Sequence, residues 1–438
     1  MPQSPFDLPK ASAVPGSSFA RLAGLTAMVA GVGGRMVLGA ARQVATGQRP
    51  KLADLLLTPT NAAKLTAQLA QMRGAALKVG QLMSMDTGDF VPPEFAAILA
   101  RLRTDADHMP PQQLRTVLDR AWGTGWISRF ARFDVRPIAS ASIGQVHRAL
   151  TKDGRDLAIK VQYPGVRASI DSDVANLSGL LRLSGMVPAT LDLATLLEQA
   201  RVQLHEEADY VREGAQMIRY GAVLAANPAF KVPRLHADLS GADVLAMDFI
   251  DSLPIETLTT APQAERDRVV TLLIRLALDE VFTFNLMQTD PNFANYRYDP
   301  ASGHVVLLDF GATRSFDPDI AAQFRDLMAA MDREAIRRSA VQVGYFPADL
   351  APAVQDRLLD MIEVALSALR QQTPFDFAGT DLVRQMRDMG FSLGMEREFS
   401  HVPPVDVLFL HRKIGGLFLL AQRLGARIPL APLLAEFA

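Results

Sequence analysis

The sequence predicts an α+β fold in two lobes, a strand-rich lobe over 129–252 and a larger, mostly helical lobe over 253–438, behind a helical extension over 52–128. Three observations carry this reading. Between residues 130 and 250, four short strand-like runs flank one long helical pattern, whereas from Ala264 the pattern is helical with a single loop-and-strand insertion. Before them, Ala, Leu and Gln recur at helical spacing from Asn61 to Met85. At 438 residues, 49% of them hydrophobic, the chain can fill more than one core.

In chain order, residues 1–51 form a basic, Ala/Gly-rich leader. Lys10, Arg21, Arg35, Arg42, Arg49 and Lys51 stand there against a single acid, Asp7. The stretch 22–41 is apolar apart from Thr26 and Arg35. A spanning helix needs about 20 predominantly apolar residues, and a central arginine costs roughly 2.5–3.5 kcal/mol. The stretch therefore reads as a flexible or interfacial segment, and no Ala-x-Ala pattern marks it as a removed signal peptide. Pro92-Pro93 and Pro110-Pro111 each precede a helical run, where proline suits the first turn. Runs 143–150 and 156–163 around Lys152-Asp153-Gly154 read as a β-hairpin. A helix over 193–224 follows, then strands over 232–237 and 244–250. Helices resume at Ala264, interrupted by the loop 288–298 and a strand over 305–308. Amphipathic helices over 324–342 and 354–371 fit second-lobe packing. The hydrophobic tail 405–434, broken by Arg412, Lys413, Arg423 and Arg427, reads as packed or membrane-touching helices. This succession is that of a protein-kinase-like fold with a helical N-terminal extension.

Composition excludes several classes. Lys and Arg total 45 against 47 Asp and Glu, a charge of −2 that argues against coating nucleic acid. Without cysteine there is no disulfide, thiolate metal site or cysteine nucleophile. The 7 histidines form no HExxH, which speaks against a zinc hydrolase.

Phosphoryl transfer needs a lysine for the phosphates, metal-binding side chains and a carboxylate near the attacking group. Lys160 closes Ala158-Ile159-Lys160 on the second hairpin strand, from where it reaches α- and β-phosphates; alone it would read as a solvated surface lysine. Asp290 and Asn295 stand in Gln288-Thr289-Asp290-Pro291-Asn292-Phe293-Ala294-Asn295. This spacing puts an acid at the nucleophile and an amide oxygen on a metal; alone it would be an Asx-rich turn. Leu307-Leu308-Asp309-Phe310-Gly311 ends an apolar strand, with Asp309 to chelate magnesium and Gly311 to let the backbone turn. Taken together in this order, the four residues point to magnesium-dependent ATP chemistry.

Two further segments are Lys78-Val79-Gly80-Gln81-Leu82-Met83-Ser84 and Pro137-Ile138-Ala139-Ser140-Ala141-Ser142-Ile143-Gly144-Gln145-Val146-His147. Together they resemble the AarF/UbiB/ADCK (ABC-one-like) family of atypical kinases over roughly residues 75 to 320. Met287-Gln288-Thr289-Asp290-Pro291-Asn292 and Leu308-Asp309-Phe310-Gly311-Ala312-Thr313-Arg314 look like its coenzyme Q branch.

The resemblance implies an atypical kinase-like ATPase supporting ubiquinone biosynthesis, cytoplasmic and peripherally associated with the membrane. It implies ATP or ADP and Mg2+ as cofactors. The partners it implies are a lipid membrane surface, quinone-precursor lipids and biosynthetic enzymes, with no nucleic acid. Ala139, Ser140, Ala141, Ser142 and Ile143 would form an alanine-rich nucleotide loop, Ser140 standing where the family has alanine. Alanine restricts the backbone freedom that glycine gives, so the loop should alter nucleotide selectivity and disfavour protein phosphorylation. The helix bearing Lys78 would lie over the active site and exclude peptides. Glu207 is the first choice to pair with Lys160, with Glu213 a second acid nearer Lys78. The backbone of Asp248 and Ile250 would read adenine. The rivals are a kinase for a small molecule or lipid, and a nucleotide-gated lipid-binding scaffold with little turnover.

Overall fold

The computed structural model describes residues 69, 72–86, 108–184, 193–394, 401 and 403–437. The leader with its apolar stretch 22–41, and Pro92-Pro93, lie outside the described residues. Among the described residues, contacts group 216–233 with those from 250 onward as one compact unit, and the others as a second.

In the first unit, Arg73–Asp86 (α1) and Pro111–Trp122 (α2) precede the sheet. Pro111 sits in the first turn of α2, where its missing N–H leaves no helix bond unmade. The strands are Phe130–Phe133 (β1), Ala139–Ser140 (β2), Gly144–Thr151 (β3), Asp156–Gln162 (β4) and Val244–Asp248 (β5). They run in the order β1-β3-β4-β5, with β2 also on β3. The register sets Lys160 between Val146 of β3 and Leu245 of β5. Leu157, Ile159 and Val161 of β4 enter a core with Leu114, Leu118, Trp126, Phe130 and Ala246. Strand alternation therefore turns Lys160 to the opposite face.

Val166–Ser184 (α3), which the sequence did not suggest, Leu193–Glu207 (α4) and Tyr210–Leu224 (α5) follow the hairpin. Met72, Ala76 and Val79 of the α1 region share a second core with Ile170, Leu177, Leu197, Leu204 and Ile143. The helix expected over 193–224 is broken at Ala208-Asp209. Asp209 caps α5, its Oδ1 accepting the Arg212 N–H at 3.0 Å. Gln162 Nε2 donates to the Ala208 carbonyl at 2.7 Å, so a sheet side chain takes an acceptor at the break. The strand expected over 232–237 reduces to a bridge between Leu235 and Met247, because Pro233 has no N–H for a ladder.

In the second unit, Gln263–Phe282 (α6) leads into Leu286–Gln288 (β6). Tyr296–Asp299 (β7) and His304–Leu307 (β8) form a hairpin, and Thr313–Ser315 (β9) returns to β6 with Thr313 opposite Gln288. Pro318–Ala329 (α7), Arg333–Val343 (α8), Pro352–Leu369 (α9), Leu382–Gly394 (α10) and Val405–Leu424 (α11) complete the larger elements. Asp332 caps α8 through the Ala335 N–H at 2.8 Å, which splits the helix expected over 324–342. The hydrophobic tail packs into this unit: α11 buries Val407, Phe409, Leu410, Leu417, Leu420 and Leu424. Among the described residues, no helix is long and apolar enough to cross a membrane.

Candidate functional site

Lys160 Nζ donates to both carboxylate oxygens of Glu213, at 2.9 Å each, and lies 5.1 Å from the centre of the Tyr210 ring. Lys78, buried on α1, pairs instead with Glu207. The expected pairing is therefore reversed. At about 100° per residue, six residues of unbroken helix would point Glu207 and Glu213 roughly 120° apart. The break at Ala208-Asp209 frees each acid to take its own direction. Glu207 ends α4, which packs on α1; Glu213 lies in the first turn of α5.

The alanine-rich segment is an edge strand and a turn. Ala139 and Ser140 pair with Val146 and Gln145, and the Ala141 N–H closes onto the Gly144 carbonyl at 2.8 Å. Ala139 and Ser140 are exposed, Ala141 and Ser142 half-buried. Ile143 is buried in the core it shares with the α1 region, so its side chain anchors the loop. α1 touches this turn through Gly74, where a Cβ would lie 3.0 Å from Ile143 Cγ2 and 3.2 Å from the Ser142 carbonyl oxygen. Further along β3, His147 Nδ1 lies 2.8 Å from the Asp134 carbonyl, and Gln145 Nε2 lies 2.8 Å from His147 Nε2. Burial pushes the His147 pKa down to about 4. A neutral ring then donates from Nδ1 and accepts at Nε2.

The Asp248 N–H donates to the Arg234 carbonyl at 3.1 Å, and its carboxylate lies 2.7 Å from His236 Nε2. The Ile250 carbonyl accepts from Ser252 Oγ at 3.1 Å.

In the second unit, Asp290 Oδ1 accepts the Asn292 N–H at 3.2 Å, and Asn295 Nδ2 donates to the Asp290 carbonyl at 3.3 Å. That bond uses the Asn295 amide nitrogen as donor, and Oδ1 is the acceptor atom of the side chain. The Leu308 N–H donates to the Asn295 carbonyl at 2.8 Å, and Thr289 Oγ1 to the Ala312 carbonyl at 2.8 Å. The Asp290 loop and the Asp309 turn are thereby interlocked. Gly311 was expected to free the backbone here, but the left-handed residue is Asp309, at φ 61°. Aspartate tolerates that region because its short side chain bonds locally: Asp309 Oδ1 accepts the Gly311 N–H at 3.1 Å.

A buried network that no motif announced lies beside this loop. Lys413 Nζ of α11 is 2.9 Å from Glu280 Oε2 and donates to the Gln288 carbonyl at 3.0 Å. Glu280 Oε1 accepts the Gln288 N–H at 3.1 Å and the Tyr220 hydroxyl. Burial pulls the Lys413 pKa down, but the Glu280 carboxylate outweighs it and holds the pKa above the ordinary lysine value. The signal available in the sequence was the break His411-Arg412-Lys413 in an otherwise apolar stretch 408–420, with nothing to connect Lys413 to Glu280, 133 residues earlier.

The ABC1 atypical kinase-like domain matches residues 101–340. Over 433 residues the chain is 35% identical to the mitochondrial atypical kinase COQ8 of Saccharomyces cerevisiae, covering 98% of this chain and 86% of that protein. Over 424 residues it is 34% identical to the mitochondrial atypical kinase COQ8B of Rattus norvegicus, covering 95% and 79%. Among solved structures, the Rv3197–erythromycin complex from Mycobacterium tuberculosis matches with a TM-score of 0.58 at 24% identity, over 86% of this chain and 95% of that one. At that identity the likeness speaks for the fold alone.

Proposed function

The chain belongs to the ABC1 atypical kinase-like family, and from that premise we propose that it is a magnesium-dependent ATPase supporting ubiquinone biosynthesis at the membrane. The observation that carries this reading is the bidentate Lys160–Glu213 pair, which fixes a buried lysine on the sheet. Lys160 would hold the α- and β-phosphates, the turn 139–143 the phosphate backbone, and the backbone of Asp248 and Ile250 the adenine. Asp309 and Asn295 Oδ1 would supply oxygen donors of the kind magnesium prefers. Bound there, magnesium would neutralise phosphate charge. Asp290 would orient the attacking group and accept its proton.

Hydrolysis is favoured over protein phosphorylation because α1 packs directly on the turn at Gly74, with Lys78 and Glu207 fixing that helix. The basic leader, which lies outside the described residues, is proposed to attach the chain reversibly to anionic membranes, since each Lys or Arg adds about 1 kcal/mol there. Quinone-precursor lipids and biosynthetic enzymes are the proposed partners. A small-molecule or lipid kinase is the second reading, favoured by the Asp290 loop, which could equally serve an acceptor hydroxyl.

The test is ATP hydrolysis by the full chain, with and without acidic liposomes and phenolic quinone-precursor analogues. Stimulated, magnesium-dependent hydrolysis is expected. Stoichiometric phosphate on the analogue or lipid would replace the ATPase by the kinase, and nucleotide binding without turnover would leave a scaffold. Flotation of the full chain against one starting at Ala53 tests the leader. Equal flotation would move the membrane contact elsewhere, and no flotation of either would remove it.

A further inference from the structure

The strand and loop that carry Asp290 are gripped from a helix made 125 residues later. Lys413 and Glu280 together hold both backbone groups of Gln288, the carbonyl through Nζ and the N–H through the carboxylate. At the other stem, the Tyr296 ring, directly after Asn295, lies 5.7 Å from the same Nζ. One turn along α11, Gly416 lies against the loop itself: a Cβ there would be 2.2 Å from Pro291 Cβ and 3.2 Å from the Pro291 carbonyl oxygen. Tyr220, bonded to Glu280, has its ring 5.2 Å from that of Phe310, the neighbour of Asp309.

Stability alone does not call for such a pair, because replacing a buried ion pair by apolar side chains is often neutral or stabilising. Directional bonds to one residue of a loop stem are what an apolar pair could not supply. We propose that Lys413 is a positioning residue for Asp290, acting with Glu280 through Gln288, and that Gly416 lets α11 approach the loop closely enough to complete the support. This deepens the proposed function and rests on the role of Asp290 given there. Both Lys413 and Gly416 lie beyond the 101–340 match.

The test compares steady-state Mg-ATP hydrolysis and thermal melting of the parent chain, Asp290→Asn, the double variant Lys413→Met with Glu280→Gln, and Gly416→Ala. The double variant leaves no uncompensated buried charge, so it should melt near the parent. Its kcat should nevertheless fall about 100-fold, as for an ångström-scale displacement of a reacting group, with the KM for ATP within about twofold. Parental kcat in that variant would show that the pair only fills space and would overturn the proposal. Should the double variant fail to fold, Gly416→Ala decides. Alanine favours a helix over glycine, yet its Cβ presses on Pro291, so kcat should fall without a rise in KM; unchanged kcat overturns the proposal. A parent chain without hydrolysis, or one whose hydrolysis survives Asp290→Asn, overturns the underlying function and the positioning role with it.

Discussion

Glu213 binds Lys160 through both carboxylate oxygens at 2.9 Å, with both side chains buried. Breaking such a pair by removing one partner leaves an uncompensated buried charge and costs about 3–5 kcal/mol. Glu213→Ala should therefore lower the stability of the first unit by that order and abolish ATP binding. Glu207→Gln should leave Lys160 anchored and ATP affinity within a few-fold of the parent. Titration of ATP against both variants, with melting curves, checks the contrast; equal losses of affinity would mean that Glu213 does not set the lysine.

Asp309 combines a left-handed backbone with the proposed magnesium contact. A side chain at positive φ costs about 1–2 kcal/mol relative to glycine. Asp309→Gly should melt above Asp309→Ala by roughly 1 kcal/mol, and both should lose magnesium-dependent stabilisation by ATP. Asp309→Asn, which tolerates the same backbone, isolates the charge. If it bound Mg-ATP as tightly as the parent in a thermal-shift titration, the metal assignment would be wrong.

The turn at Ala141 is closed by its N–H on Gly144. Ala141→Gly restores backbone freedom at that point, so the ratio of ADP to ATP affinity should change and self-phosphorylation should rise. Unchanged affinities without new phosphorylation would refute a role for this loop in selectivity.

His147 makes the first unit sensitive to acid. Its folded pKa is about 4, and an unfolded histidine takes up its proton near 6.5. The stability it contributes is complete above about pH 6.5 and is lost as the pH falls towards 4. Between pH 7 and pH 5 the loss should be about 2 kcal/mol, read by denaturant titration at the two values. His147→Phe should flatten that difference; a parent equally stable at both values would show that His147 titrates normally.

Local chemistry made part of this molecule legible. The β3–β4 hairpin could be read because Lys152-Asp153-Gly154 separates two short apolar runs, and the kinase-like order of elements followed from such runs. The break in the 193–224 helix could not, because Ala208 is a good helix former. What opens the chain there is the Asp209 cap together with a sheet residue, Gln162. The pairing of the two lysines depended on that break, so the Glu-x-Asp pattern of the resemblance, which falls on Glu207 and Asp209, assigned their acids the wrong way round. The turn at Asp309 was misplaced onto Gly311 because glycine is the usual left-handed residue, and only the bond from the Gly311 N–H to Asp309 explains the exception. Lys413 and Glu280 lie in separate helices, and no spacing rule joins them.

The contact between Lys413 and Gln288 also orders events during synthesis of the chain. Domains generally fold as the ribosome releases them, the earlier ones first. Lys160 and Glu213, 53 residues apart, can meet while most of the second unit is still unmade. Gln288 obtains its donor only after α11 has emerged, so the nascent protein passes through a long interval in which its first unit is complete and its Asp290 loop is not yet braced. A product of premature termination before α11 would keep that loop without the donor that Lys413 brings to Gln288.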